Sequence, residues 1–254
     1  MTFLKKGSQG AEVLELQNIL RELDYNIPQT SVFDSATYKA VRNFQSSHLD
    51  KHNVPLSIDG QVGDLTWWAL QHPRSIVTAG AIDFTLMPAG SLGGTAISRD
   101  ALQFAINELK AGAGEEGGNN KGPWVRKYLQ PAGLAEGNSW CAAFVSWCFL
   151  QAAGGDKKTM PFKYTASARN IFNQFKQKGW SYDGNDSHVQ PLPGDIVSWW
   201  RVSLPSGFGH VGVVHHCQDG FLYTIEGNKA ANVAGFTYVK TRMDKLLGYG
   251  RVVE

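Results

Sequence analysis

The sequence has few cysteines, and their number and spacing argue against a disulfide framework. Its 254 residues include three cysteines, Cys141, Cys148 and Cys217, an odd and low count for a small secreted domain. Cys141 and Cys148 are seven residues apart. On a helix this spacing separates their Cα atoms by about 10 Å, which is beyond the reach of a disulfide. At least one thiol is therefore free by parity, and we expect all three to be free.

The sequence also lacks a marked charge excess and any long apolar run. A net charge of +2, without clustered basic residues, gives no basis for binding nucleic acid or a membrane surface. No stretch is long and apolar enough to span a bilayer. The first residues, MTFLKKGSQG, lack the apolar segment of a secretory signal. We therefore expect a protein made in the cytoplasm, which needs another route if it acts outside.

Residue patterns divide the chain into a small helical part, a linker and a larger part. Apolar residues recur at helical spacing over 13–23, Asp34 is a predicted N-cap of a second helix, and SIDGQVGDLTWWAL predicts a turn and a third helix. We predict domains at 1–72 and 98–254. The proline- and glycine-rich linker at 73–97 includes apolar residues, so we expect part of it to lie on the second domain.

The larger part changes from helical to strand patterns along the chain. Helices are predicted from Ser98, which would cap the first one, from about Cys141, and over 167–178. Five segments then read as strands: GDIVSWW, HVGVVHHC, FLYTIEG, GFTYVKT and GYGRVVE. Helices followed by an antiparallel meander predict an α+β fold.

Cys141 lies where a thiolate would be favoured. Asn138 or Ser139 can cap the helix, which places Cys141 in its first turn. The unpaired N–H groups there and the helix dipole favour a negative charge, and they can also hold an oxyanion. The alternative is that a cysteine is simply a small buried apolar residue, as cysteines often are. Cys148, in mid-helix, is interpreted in that way.

A histidine and a glutamate on facing strands can supply a base and its orienting group. With a three-residue loop at 218–220, His210 would lie opposite Asn228 and Gly212 opposite Glu226, so that His210, Glu226 and Asn228 share a face. A two-residue loop would turn Glu226 away. The alternative for His210 is a histidine whose bonds are satisfied within the strand.

The neighbouring run His215, His216 and Cys217 could suggest a metal site. Adjacent strand residues point to opposite faces, so these three side chains are not expected to bind one ion. We therefore predict no metal here and no cofactor elsewhere.

Five stretches occur in one order over 112–228: EEGGNNKGPWVRKYL, NSWCAAFVSW, PLPGDIVSWW, GHVGVV and IEGN. In this respect the chain resembles the CHAP family, cysteine- and histidine-dependent amidohydrolases and peptidases. The resemblance implies a papain-like fold that cuts amide bonds in peptidoglycan. It also implies that Cys141 is the nucleophile, His210 the base and then the acid, and Glu226 the orienter. Asn228 matches a fourth polar position that supports His210 or the oxyanion.

The acidic GEEGGNN loop departs from the aspartate-rich calcium loop that some relatives carry before the cysteine. Its spacing fits no calcium site, so we expect it to shape the substrate groove, with a plain surface loop as the alternative. The expected substrate contacts in this domain are Glu116, Asn119, Asn120, Trp140 and Trp199. Core packing is the alternative for at least one of the tryptophans.

The N-terminal stretches GSQGAEVLELQNIL, FDSATYKAVRNFQ and DGQVGDLTWWAL resemble the peptidoglycan-binding domain type 1 family. That resemblance implies a three-helix bundle that docks on the bacterial wall, and a helical bundle without a ligand is the alternative. Asp59, Gln61 and Trp67 are candidate contacts. One of the adjacent pair Trp67 and Trp68 is expected in the core.

The sequence as a whole predicts a peptidoglycan hydrolase, either an N-acetylmuramoyl-L-alanine amidase or an endopeptidase. Two contexts fit: a phage endolysin released through a membrane hole, or an antibacterial effector injected into a rival. The second would require an immunity protein as a partner. The alternatives are an inert wall-binding protein and a papain-like protease that acts on proteins.

Overall fold

The structure is a computed structural model that describes residues 2–52, 56–73, 82–184, 186, 188–229, 231–240, 243 and 245–253. The chain divides into two compact units: the first comprises residues up to Ile82 together with 229–231, and the second comprises 83–228 and the residues from Asn232 onward. Each unit has its own cluster of buried apolar side chains. The second unit includes residues 83–97 of the predicted linker, and the predicted domain boundaries stay a prediction.

The first unit contains three helices among the residues described, α1 (Ala11–Glu22), α2 (Ser35–Ser47) and α3 (Asp64–Gln71). The Asp34 carboxylate accepts a hydrogen bond from the Thr37 amide at 2.8 Å, which confirms Asp34 as the N-cap of α2. The apolar stripes of the helices meet in one core that includes Val13, Leu16, Leu20, Val41, Phe44, Trp67 and Leu70.

The second unit contains the helices α4 (Ala96–Lys110), α5 (Pro123–Leu129), α6 (Cys141–Ala152) and α7 (Ala168–Gln177). Helix α6 is apolar on almost every side and lies in the core, packed against α4. Ser167 caps α7, since its hydroxyl accepts from the Asn170 amide. The predicted cap at Ser98 is wrong, because α4 begins two residues earlier, with Thr95 as its N-cap residue.

In the described part of the chain, six strands form one antiparallel sheet in the order β1-β6-β2-β3-β4-β5. The strands are β1 (Ser181–Asp183), β2 (Ile196–Trp200), β3 (Gly209–Gln218), β4 (Phe221–Glu226), β5 (Ala234–Val239) and β6 (Leu246–Gly250). The predicted meander holds for β2 to β5, whereas β6 pairs with β2 on the other side. The short strand β1 was not predicted. Helices followed by an antiparallel sheet confirm the α+β class.

One face of the sheet packs against the helices. Val211, Val213 and Ile225 belong to the same core as residues of α4, α6 and α7. Alternate residues on the opposite face are also buried, among them Val197, Val214, Leu222 and Tyr249. Strand β3 therefore runs through the middle of the unit, with buried side chains on both faces.

The segment that follows Ile82 packs on the sheet. The Phe84 ring lies 5.5 Å from the His215 ring and 6.2 Å from the Tyr223 ring, measured between centroids. The carbonyl oxygen of Leu86 lies 2.8 Å from Nε2 of His215. Part of the predicted linker thus lies on the second domain, as expected. Residues 74–81 of that linker lie outside the described residues.

Candidate active site

The β3–β4 hairpin differs from the prediction at its turn. Asp219 and Gly220 form a two-residue loop with φ of 51° and 79°, as a type I′ turn requires, and Gln218 pairs with Phe221. The three-residue loop predicted for this position is therefore wrong. By the sequence argument, Glu226 should then point away from His210.

A β-bulge restores the pairing that the turn shifted. The register changes between Val214 and His216, so that Val213 lies opposite Ile225 instead of being offset by one residue. The residue added by the bulge reverses the face of everything beyond it. Glu226 consequently returns to the face of His210, where Nε2 of His210 lies 2.7 Å from Oε2 of Glu226.

This His210–Glu226 pair is enclosed. The Glu226 side chain has no exposed surface and that of His210 is 5% exposed. Gly212 makes room for the carboxylate, because a Cβ at that position would come within 2.6 Å of Cγ of Glu226. The Trp199 ring lies 5.6 Å from the His210 ring. Water is therefore largely kept from the pair, which strengthens its electrostatic interaction.

Two hydroxyl groups bind the other oxygen of Glu226. Thr224 Oγ1 and Tyr238 Oη each donate to Oε1 at 2.6 Å. Thr224 is two residues before Glu226 on β4, so both side chains share a face. Tyr238 comes from β5, the neighbouring strand, and its ring lies 5.4 Å from that of Trp199.

Cys141 is the first residue of α6 and is 6% exposed. The N-cap residue is Trp140, and no side chain caps the helix, so the predicted caps Asn138 and Ser139 are wrong. The Asn138 amide instead donates to the carbonyl of Ala135 at 3.0 Å.

Burial raises the pKa of the Cys141 thiol above its ordinary value. The positive charge of Arg201 and hydrogen bonds from the Val211 and Ala142 amides act in the opposite direction, and the charge of Glu226 adds to the rise. A thiolate favoured by the helix start stays a prediction. Because Val211 follows His210 directly, its hydrogen bond also places the sulfur beside the start of β3.

Trp140 is fully buried, so it does not wall a cleft as predicted. Its ring stacks on that of Tyr128 at 5.5 Å, and its indole nitrogen donates to Oε1 of Glu115 at 3.0 Å. A Cβ at Gly227 would come within 2.4 Å of the indole ring. Trp140 thus packs the start of α6 against the residue that follows Glu226.

The acidic loop before α5 contains three other predicted contacts of this domain, whereas the remaining one, Trp199, lies on β2 and is 7% exposed. Glu116 and Asn119 are exposed and Asn120 is partly exposed, with φ of 57° at Asn120. A shallow pocket of about 410 Å³ is lined by Glu116 with Gly117, Lys121, Gly122, Pro123, Arg126 and Glu136. This pocket does not include Cys141, His210 or Glu226, so a substrate role of the loop stays a prediction.

Asn228 is partly exposed and adopts a left-handed φ of 61° just after β4. Its predicted part in the site stays a prediction.

The segment between β2 and β3, which no sequence motif marks, presents three exposed apolar side chains: Val202, Leu204 and Phe208. It leads directly into Gly209 and His210.

In the first unit, the candidates Asp59 and Gln61 lie in a loop, whereas the third candidate, Trp67, lies in the core. Asp59 and Gln61 lie in a loop fixed by Gln45, whose side-chain amide donates to Oδ1 of Asp59 at 3.0 Å and to the carbonyl of Gln61 at 2.8 Å. Asp59 is exposed. Trp67 is 2% exposed and its indole donates to the Thr2 carbonyl, so it is core and does not fit a contact role.

His215 and His216 are brought together by the bulge, although strict alternation would separate them. Their Nδ1 atoms lie 2.7 Å apart, and His216 stacks on Tyr223 at 4.4 Å. Among the described residues, no group of three histidine, cysteine or acidic side chains has the arrangement of a metal site. The three cysteines are free thiols.

Comparison with protein families identifies both parts of the chain. Residues 133–228 match the CHAP domain, and residues 9–70 match the putative peptidoglycan binding domain. The chain therefore carries a CHAP domain preceded by a peptidoglycan-binding domain, which confirms the two resemblances.

Solved structures add little to this assignment. The crystal structure of Ly7917 matches with 19% identity over 58% of this chain and 60% of its own length, at a TM-score of 0.36. The crystal structure of Ly7917 with the hydrolyzing product of MDP matches with 19% identity over 58% and 62%, at 0.34. The chain thus spans about three fifths of their length. No curated protein is significantly similar to the chain. None of the helices described is long and apolar enough to cross a membrane.

Proposed function

We propose that this protein is a peptidoglycan hydrolase that cuts an amide bond of the stem peptide with Cys141, His210 and Glu226. The observation that carries the proposal is the buried His210–Glu226 pair at 2.7 Å beside a cysteine at the first position of a helix. The CHAP match over 133–228 includes all three residues. Cysteine nucleophiles are typically recognised by such a base and its orienting group.

The proton of Cys141 moves to His210 in the first step. Nε2 of His210 is engaged with Glu226, so Nδ1 is the ring nitrogen that takes the thiol proton. Burial raises the pKa of the thiol and so favours its neutral form. Transfer of the proton to the imidazole therefore has to supply the thiolate when the substrate is in place. The negative charge of Glu226 then stabilises the imidazolium.

The thiolate attacks the amide carbonyl carbon and forms a tetrahedral oxyanion. Amide N–H groups at the start of α6 are suited to stabilise this charge. The imidazolium gives its proton to the leaving nitrogen, the C–N bond breaks, and an acyl-enzyme thioester remains. Water attacks the thioester with His210 as base, which releases the acid and restores the thiol.

The first domain serves to keep the enzyme on its polymer. Binding to the wall raises the local concentration of stem peptides for the second domain without any new contact at the active site. The match of residues 9–70 to a peptidoglycan binding domain supports this role. We propose Asp59 and Gln61 as contacts there, and Glu116, Asn119 and Asn120 beside the catalytic domain's substrate.

The test is a digest of purified peptidoglycan with the fragments read by mass spectrometry. Cys141→Ala should abolish new fragments while the protein still pellets with the wall, because only the nucleophile is lost. The control is Cys148→Ala, which removes a buried thiol from the same helix and should retain most activity. The new termini decide between amidase and endopeptidase.

Three outcomes would contradict the proposal. Fragments produced equally by Cys141→Ala would exclude the cysteine mechanism. Wall binding by wild type without fragments from several wall types would favour an inert binding protein. Digestion of casein but not of the wall would favour a protease that acts on proteins.

A further inference from the structure

We propose that Thr224 and Tyr238 are positioning residues, which keep Glu226 ionised and thereby fix the proton arrangement of His210. This inference rests on the proposed function, since it concerns the same site. It assigns a role to two hydroxyl groups that do not themselves touch the reacting atoms.

The hydrogen bonds around Glu226 determine which groups donate. Oε1 of Glu226 lies 2.6 Å from both the Thr224 hydroxyl and the Tyr238 hydroxyl, and Oε2 lies 2.7 Å from Nε2 of His210. An ionised carboxylate only accepts, so it satisfies all three neighbours when each of them donates. A protonated carboxyl would have to donate at one of these contacts and would lose the bond made there.

The burial of Glu226 makes these donors necessary. Its side chain has no exposed surface, and burial by itself favours the neutral form of a carboxyl group. Two hydroxyl donors on one oxygen oppose that tendency, because hydrogen bonds to the charged form stabilise it. Without them, the proton shared within the pair would move toward the carboxylate.

The ionised carboxylate in turn decides which nitrogen of His210 carries the proton. Oε2 can only accept, so Nε2 must be the N–H of the neutral ring and Nδ1 must carry the lone pair. That lone pair is the one the mechanism needs to take the thiol proton of Cys141. The two hydroxyls thus act on the nucleophile through two intermediate groups.

The protein holds both hydroxyls rigidly. Thr224 is fully buried on the same strand as Glu226, and Tyr238 is 8% exposed on β5 with its ring beside that of Trp199. Both lie on the Glu226 face of the sheet. Tyr223 and Thr237, which pair with each other, lie on the opposite face of the same two strands. They provide matched control positions.

The test uses Tyr238→Phe, Thr224→Val and the double variant in the full-length protein. We expect the acid-side midpoint of the kcat/KM profile on a soluble peptidoglycan fragment to rise by about one pH unit in the double variant. We also expect the plateau to fall about tenfold, because Glu226 loses its fixed orientation. Thr224→Ser keeps the hydroxyl and should restore the wild-type profile. Tyr223→Phe and Thr237→Val should leave it unchanged.

A second measurement does not depend on cleavage. Nitrogen-15 NMR of the His210 ring should report an Nε2–H tautomer in the wild type and a growing Nδ1–H population in the double variant. Unchanged tautomer and unchanged profile shape in Tyr238→Phe and Thr224→Val would overturn the inference. So would equal effects from the two control variants. If the wild type cleaves no wall and the double variant still shows the expected tautomer change, the proposed function is refuted and this inference stands.

Discussion

At the scale of single residues, the site depends on a position without a side chain. Gly212 lies against Glu226, and a Cβ there would come within 2.6 Å of Cγ and 3.3 Å of the carboxyl carbon. The residues that such a Cβ would meet, Ile225 and Glu226, are fully buried on β4 and cannot easily move. The glycine therefore sets where the carboxylate can lie.

We predict that Gly212→Ala displaces Glu226 and lowers kcat/KM by tenfold or more, about 1.4 kcal/mol of transition-state stabilisation. Kinetics on a soluble fragment, together with thermal unfolding, would separate the loss of activity from a loss of folding. Gly90→Ala is the control, because a Cβ at Gly90 meets nothing within 4 Å and its φ is not in the left-handed region. Wild-type kinetics in Gly212→Ala would show that the carboxylate position is not limiting.

Local sequence signals identify Cys141, His210 and Glu226 as candidates, but not all of their surroundings. Thr224 is within reach of sequence reasoning, because the period of two places it on the face of Glu226. Tyr238 is not, since its contact requires the pairing of β4 with β5. The direction of the Cys141 pKa also depends on burial by distant residues, and so does the core position of Trp140.

At the scale of elements, the β3–β4 hairpin shows how two deviations can cancel. The sequence predicts the shared face of His210 and Glu226 from a three-residue loop, whereas the structure has a shorter turn and one bulge. Asp-Gly is a known signal for the turn. The bulge carries no glycine that would mark it, so its extra residue cannot be counted from the sequence.

The bulge also creates a histidine pair that should make stability depend on pH. Burial, followed by the charge of His215, lowers the pKa of His216 to about 4, and burial lowers that of His215. Unfolded histidines bind protons near pH 6.5, so the unfolded state takes up more protons as the pH falls from there toward 4. The free energy of unfolding should therefore decrease over this window.

We predict that His216→Asn reduces this decrease, since the side-chain amide can still donate to His215 but does not titrate. Urea unfolding at several pH values between 4 and 8 would measure it. His188→Asn changes an exposed histidine of the same unit and should leave the pH dependence as it is in the wild type. An unaltered slope in His216→Asn would assign the acid sensitivity to other groups.

At the scale of the whole molecule, the chain is built from two units with separate cores. The sequence resemblances found both units, because each has its own ordered set of motifs. The exact end of the linker was less accessible, since the packing of Phe84 on the sheet is a tertiary contact.

We predict that removing residues 1–72 lowers digestion of insoluble wall by tenfold or more, while cleavage of a soluble fragment changes less than about twofold. Among the described residues, the core of the second unit contains none before Phe84, so its folding should survive the deletion. Sedimentation with the wall and release of fragments would be measured in parallel. Equal wall digestion by the shortened protein would remove the anchoring role from the first domain.

The cancelling turn and bulge have a consequence for protein engineering and for natural length variation. The tip of the hairpin is an exposed place where insertions are easily accepted, yet here its length is linked to the active site. Adding one residue to the Asp219–Gly220 turn preserves the face of Glu226 only if the bulge near His215 is lost at the same time. A chimera that exchanges hairpin tips must therefore transfer the turn and the bulge as one cassette, because either part alone reverses the side chain that His210 requires.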